Sequence, residues 1–200
     1  MIVAGLTGSI AMGKSETARM FAARGIPVFD SDAAVHALYA SGGDAVAPLR
    51  ALAPAAVSEG GVDRARLATL VQADPGLLKK IEEIVHPLVK ARQLAFLADA
   101  ATRSDIAVLD IPLLFETGGD KRVDGIVVVS TDAKTQRERI LARDGMTEDK
   151  LDAILARQLP DAEKRKRADF VVDTSHGIEP VRARIAEILV EAAKMPRRRA

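Results

Sequence analysis

The chain of 200 residues has no cysteine, no tryptophan and a single tyrosine. Without cysteine there is neither a disulfide framework nor a thiolate zinc site, and nothing calls for an oxidising compartment, so a cytoplasmic protein is expected. No apolar run approaches the roughly 18 residues needed to cross a bilayer. The opening stretch Met1 to Leu6 lacks a basic flank and meets Gly5 early, so no leader is expected there either. An excess of either charge is also missing. Twenty-nine Lys and Arg stand against 28 Asp and Glu, a formal net charge of +1, which removes any whole-chain attraction to nucleic acid or membrane. The arginines near the end, Arg197 to Arg199, read as part of a frayed terminus over residues 195–200 rather than as a nucleic-acid tail.

What the chain does contain is apolar residues, 48% of the total, enough for one good core and one main domain. Short apolar runs at Ile2 to Leu6, Ile26 to Phe29, Ile106 to Leu109, Gly125 to Ser130 and Phe170 to Val172 have the unbroken character of strands buried on both faces of a parallel sheet. Helical text fills the gaps, and residues 44–103 read as helical throughout, punctuated by Pro48, Pro54, Pro75, Pro87 and the Gly60-Gly61 pair. Five strands with helical crossovers predict an α/β fold, a doubly wound parallel sheet.

Gly8-Ser9-Ile10-Ala11-Met12-Gly13-Lys14-Ser15 fits GxxxxGK(S/T) between the first strand and the first helix. Such a loop turns successive backbone N–H groups toward phosphate oxygens, and the helix that follows adds the positive end of its dipole. The motif assigns ATP binding to residues Gly8 to Glu16, with Lys14 on the β- and γ-phosphates and the Ser15 hydroxyl on Mg²⁺. Ile106-Ala107-Val108-Leu109-Asp110 is an apolar strand ending in a carboxylate, the pattern that holds the Mg²⁺ shell. Taken alone, Asp110 could instead cap a helix starting at Ile111-Pro112, but the phosphate loop beside it favours the metal role.

These two motifs do not separate kinases from other nucleotide-binding proteins. Leu6-Thr7-Gly8 leading into the loop, Asp30-Ser31-Asp32 with His36, His86-Pro87-Leu88-Val89, Asp110-Ile111-Pro112-Leu113-Leu114-Phe115-Glu116, and the stretch from Gln158 to Asp173 do so by likeness. In order and spacing they resemble the dephospho-CoA kinase family from Ile2 to about Ile188. The resemblance implies a P-loop kinase that phosphorylates the ribose 3′-hydroxyl of dephospho-CoA with ATP and Mg²⁺, the last step of coenzyme A synthesis. It implies a core of about 1–40, 104–135 and 168–194, a helical acceptor-binding region of about 41–103 and a lid of about 136–167. The chain departs from the family pattern where it has Ser9, Ala11, Met12, Glu16 and Thr174. Alanine fits the loop easily only with a negative φ.

Asp32 follows the second strand, at the carboxyl edge where ligands settle in such sheets, and reads as the base that accepts the acceptor's proton, or else as a helix N-cap. His36 lies one turn further on the same helix face. Together with His86 and Leu113 it is assigned to acceptor binding by the resemblance, although a merely structural histidine fits position 36 as well, and a structural bend at His86-Pro87 fits that position equally. Arg139 and Arg143 are four apart on the helix after Asp132, a face suited to a lid, and Arg143 is assigned to the transferring phosphoryl group. A solvated basic helix paired with Glu138 and Asp144 is the alternative for that face. Lys164 to Arg167 reads as solvated. Two competing functions remain: a different P-loop monophosphate kinase, and a nucleotide-binding regulator without turnover. A GTPase is disfavoured, because no Asn-Lys-x-Asp guanine motif occurs.

Overall fold

The computed structural model describes residues 1–198; Arg199 and Ala200, which belong to the segment expected to fray, lie outside the described residues. The chain forms two compact units, one of residues 1–29 with the chain from Ala100 onward, the other Asp30–Asp99.

The first unit is built on a five-stranded sheet. Its strands are β1 (Ile2–Thr7), β2 (Val28–Asp30, at the junction of the units), β5 (Ile106–Asp110), β6 (Gly125–Ser130) and β7 (Phe170–Asp173), in the order β2-β5-β1-β6-β7. Each of the five expected strands is present, β6 with its predicted bounds and the other four within two residues of theirs. β1 pairs in parallel with β5 and with β6, and β6 with β7. β1 and β5 are buried along their whole length, which is why their text is unbroken apolar residues rather than an alternation. Helices α1 (Lys14–Ala22) and α9 (Ile178–Ala192) supply Phe21, Ile185 and Ile188 to a core with Leu6, Val108, Val127 and Val129. Each such side chain, fully buried, is worth about 1.5–3 kcal/mol of transfer free energy. Between β6 and β7 lie α6 (Ala133–Leu141), α7 (Glu148–Leu155) and α8 (Asp161–Arg167). β1 leads toward β2 on one side while its neighbour β6 leads to β7 on the other. The winding therefore reverses between β1 and β6, and their carboxyl ends flank the crevice where open α/β sheets bind ligands.

The second unit holds α2 (Ser31–Tyr39), α3 (Val46–Leu52), α4 (Arg64–Ala73) and most of α5 (Gly76–Ala100), packed on Leu38, Leu49, Leu67, Ile81 and Val85. It is not helical throughout. A hairpin of β3 (Val57–Ser58) and β4 (Gly61–Val62) interrupts the helices. Gly61 makes it possible: its φ is 107°, and a Cβ there would lie 2.3 Å from the Tyr39 carbonyl oxygen. α5 runs on through Pro87.

Two further expectations are corrected. No helix starts at Ile111-Pro112; the chain turns from Pro112 to Gly118 and then forms a short 3₁₀ helix, Gly119–Arg122. The described part of the terminus is also tied down. The Arg198 N–H donates to Asp124 (2.8 Å) and its guanidinium pairs with Asp169 (2.8 Å).

Candidate active site

The loop between β1 and α1 carries the site. Its two motif glycines answer different demands. A Cβ on Gly8 would sit 2.6 Å from the Val129 carbonyl oxygen, so the close approach of β6 excludes any side chain. Gly13 has φ 94° and starts α1 with no side-chain cap, leaving the first N–H groups of the helix to a ligand. Ala11 contradicts the expectation of a negative φ: its φ is 62°. A non-glycine residue held there costs roughly 1–2 kcal/mol. Its methyl group is buried with Ile140 of α6 and Leu151 of α7, and that packing offsets part of the strain.

The rest of the loop is pinned by residues distant in sequence, through three side chains and one backbone N–H. The Ile10 N–H donates to Gln158 Oε1 (3.1 Å) and the Ile10 carbonyl accepts from Gln136 Nε2 (2.8 Å). The Met12 carbonyl accepts from the Thr174 hydroxyl (2.8 Å), and the Met12 sulfur accepts from the Thr131 N–H (3.2 Å). A loop fixed in this way spends little free energy on ordering when phosphate arrives.

Lys14, the first residue of α1, forms an ion pair with Asp110 at the end of β5. Asp110 is only 3% exposed, so its charge sits where water screens it weakly. Ser15 is exposed in the first turn of α1. A serine hydroxyl and a carboxylate are hard oxygen donors of the kind Mg²⁺ takes. Among the described residues no group of three or more His, Cys, Asp or Glu could hold a metal ion alone.

Next to the loop is a cavity of about 360 Å³ lined by Ala11, Gly13, Glu16, Thr17, Met20, Arg139, Arg143, Thr174, Gly177, Ile178 and Val181. Two guanidinium groups therefore share a space with an apolar wall. They are held differently. Arg139 Nη1 and Nη2 donate to the Thr174 hydroxyl (2.8 Å) and carbonyl (2.9 Å). Arg143 lies just past the end of α6 and is exposed, with Gly145 at φ 71° two residues on. Glu16 is turned to Arg19 (2.7 Å).

The remaining residues singled out in the sequence divide between the units. The loop residues Gly8 to Glu16, Asp110, Arg143 and Leu113 belong to the first; Leu113, in the turn after β5, is 40% exposed. Asp32, His36 and His86 belong to the second, and all three are exposed. The N-cap of α2 is Asp30, whose carboxylate accepts from the Ala33 N–H (2.9 Å). Asp32 is left in the first helical turn without that task.

Lys164 corrects the reading of a solvated face: its side chain has no exposure at all and pairs with Glu116 (2.9 Å). Glu116 also accepts from the Leu159 N–H (2.8 Å). Sequence reasoning does not reach the part of Gln136, Gln158 and Thr174 as loop partners. Polar residues 126 to 162 positions from their loop partners carry no periodic signal, and only the position of Gln158 at the head of a family-like stretch hints at its part.

Known proteins of similar sequence and fold complete the picture. The family model described as dephospho-CoA kinase matches residues 1–179. The dephospho-CoA kinase of Rhodopseudomonas palustris strain CGA009 is 60% identical over 200 residues, all of both chains. That of Bradyrhizobium diazoefficiens is 60% identical over 201 residues, again all of both chains. Among solved structures, TT1252 from Thermus thermophilus is 34% identical with a TM-score of 0.82, covering 95% of this chain and 96% of its own. Dephospho-CoA kinase from Campylobacter jejuni shares the fold at 22% identity with a TM-score of 0.65, covering 96% of this chain and 97% of its own.

Proposed function

The chain belongs to the dephospho-CoA kinase family, and from that premise we propose how its residues divide the reaction that makes coenzyme A from dephospho-CoA and ATP. The carrying observation is the pinned loop, with Lys14 and Ser15 at the bare start of α1, Asp110 beside Lys14, and the cavity of Arg139 and Arg143 next to it.

In this reading the base of ATP occupies that cavity, whose volume suits a small ligand. The loop N–H groups and Lys14 take the β- and γ-phosphates. Ser15 and Asp110 would hold Mg²⁺, which when bound neutralises charge on the phosphate oxygens. Dephospho-CoA is bound by the region of about 41–103, with His36, His86 and Leu113 among its contacts. Asp32, relieved of capping by Asp30, accepts the proton of the ribose 3′-hydroxyl as that oxygen bonds to the γ-phosphorus and the bond to the β-γ bridging oxygen breaks. The products are coenzyme A and ADP. Phosphoryl transfer needs positioning and charge neutralisation more than covalent chemistry from the protein. Arg143, in the lid of about 136–167, supplies the planar guanidinium that steadies the transferring group. A kinase of this kind works in the cytoplasm, where ATP is available; among the described residues no helix is long and apolar enough to cross a membrane.

The test is to incubate the protein with Mg-ATP and, separately, dephospho-CoA, AMP, CMP, GMP or pantothenate, and to identify products by mass. Dephospho-CoA should react far faster than the others and gain one 3′-phosphate. Preference for a mononucleotide, or a phosphate on another oxygen, would overturn the assignment.

A further inference from the structure

The Thr174 hydroxyl has every bonding capacity engaged that matters at the site. A hydroxyl has one proton to give and lone pairs to accept with. Here the proton goes to the Met12 carbonyl (2.8 Å), and a lone pair takes Nη1 of Arg139 (2.8 Å). The Thr174 carbonyl takes the second guanidinium nitrogen (2.9 Å), so the Arg139 plane is fixed by two parallel donors rather than one. The residue is 8% exposed. Its side chain also packs against Gly13: a Cβ on that glycine would stand 3.2 Å from Thr174 Cγ2 and 3.3 Å from its Oγ1. One side chain thus touches the loop at Met12, the start of α1 at Gly13 and the cavity wall at Arg139.

We infer that the Thr174 hydroxyl is a positioning group that ties the base-side wall of the nucleotide site to the phosphate loop. It sets the Arg139 plane and the Met12 carbonyl together, so the geometry of one depends on the other. The inference rests on the reading that ATP occupies this cavity and loop. A hydroxyl that only filled space would be replaceable by the isosteric valine, and one that served Arg139 alone would leave the loop untouched.

The experiment measures binding of Mg-ATP and of Mg-tripolyphosphate, which has no base, by calorimetry on the whole protein. Thr174→Val should weaken tripolyphosphate about three- to tenfold, the range expected for one buried neutral hydrogen bond, and weaken ATP further because the Arg139 wall goes with it. Thr174→Ser keeps the hydroxyl and should recover most of both affinities. Arg139→Lys keeps the charge but cannot make the two-pronged contact. It reads the same connection from its other end, even if the valine variant fails to fold, and should lose more ATP than tripolyphosphate affinity. Wild-type binding of tripolyphosphate by Thr174→Val, no recovery in Thr174→Ser, or equal losses for both ligands in Arg139→Lys would each overturn the inference. Failure of the unaltered protein to bind either ligand would instead bring down the proposed function.

Discussion

The ammonium of Lys164 lies 2.9 Å from the carboxylate of Glu116, and the lysine side chain has no exposure to solvent. The pair joins the turn after β5 to α8, and through the Leu159 N–H it also holds the segment next to Gln158, which grips the loop at Ile10. Removing one partner of such a pair strands the other. Glu116→Ala leaves a cation in a dry site and is expected to cost about 3–5 kcal/mol. Lys164→Met leaves a carboxylate that can still turn to water, and should cost less than half of that. Urea unfolding of the two variants measures the asymmetry; equal costs would mean that the lysine is not dry.

The same pair gives a pH signature. Burial pushes the Glu116 carboxyl up, but the Lys164 ammonium and the Leu159 N–H outweigh it and hold its pKa below the ordinary glutamate value. A folded pKa that is depressed contributes stability above the unfolded pKa, about 4.3, and that contribution is lost as pH falls through the folded value. Wild type should therefore lose more melting temperature than Glu116→Gln between about pH 5 and pH 3. Parallel melting curves for the two would contradict this.

Asp32→Asn should lower kcat by about two to four orders of magnitude, the usual worth of a positioned proton acceptor, with little change in ATP affinity. The α2 cap belongs to Asp30, so the variant should melt with the wild type. Unchanged kcat would leave Asp32 without a part in the chemistry.

Arg143→Lys keeps the charge but not the planar fork. It should reduce kcat by about a hundredfold, in the range seen when one donor to a developing charge is lost. Steady-state kinetics decide it, and a fully active lysine variant would move the role to another lid residue.

Much of this site is legible in the sequence alone, for definite reasons. The five strands announce themselves because a parallel sheet covered on both faces requires unbroken apolar text such as Ile106 to Leu109. The loop is legible because Gly8 and Gly13 answer local steric demands at fixed spacing. Other features have no local signature. Lys164 sits in a run of charges, Asp161 to Arg167, and only the tertiary placement of Glu116 makes it an interior residue. The β3-β4 hairpin is two residues a side, too short for alternation to show. The capping of α2 by Asp30 rather than Asp32 turns on where the helix begins, and helix ends are where sequence patterns are least sharp.

Ala11 supplies the last test, because the sign of its φ decides what substitution there should do. Were its φ negative, glycine would lose the buried methyl, about 0.8 kcal/mol, and add about 0.5–1 kcal/mol of chain entropy, with nothing in return. At the observed φ of 62°, glycine also relieves roughly 1–2 kcal/mol of strain. The terms nearly cancel, so Ala11→Gly should leave unfolding free energy within about 1 kcal/mol of wild type. Valine at the same position meets the opposite fate. A β-branched side chain at positive φ is a genuine outlier, and its extra methyls would press on Ile140 and Leu151. Ala11→Val should therefore cost about 2 kcal/mol or more and raise KM for ATP, since relief comes only by moving the loop. Denaturant unfolding and ATP titration of the two variants measure this directly. A destabilised glycine variant beside a wild-type-like valine variant would place Ala11 at negative φ and overturn the strained conformation of the loop.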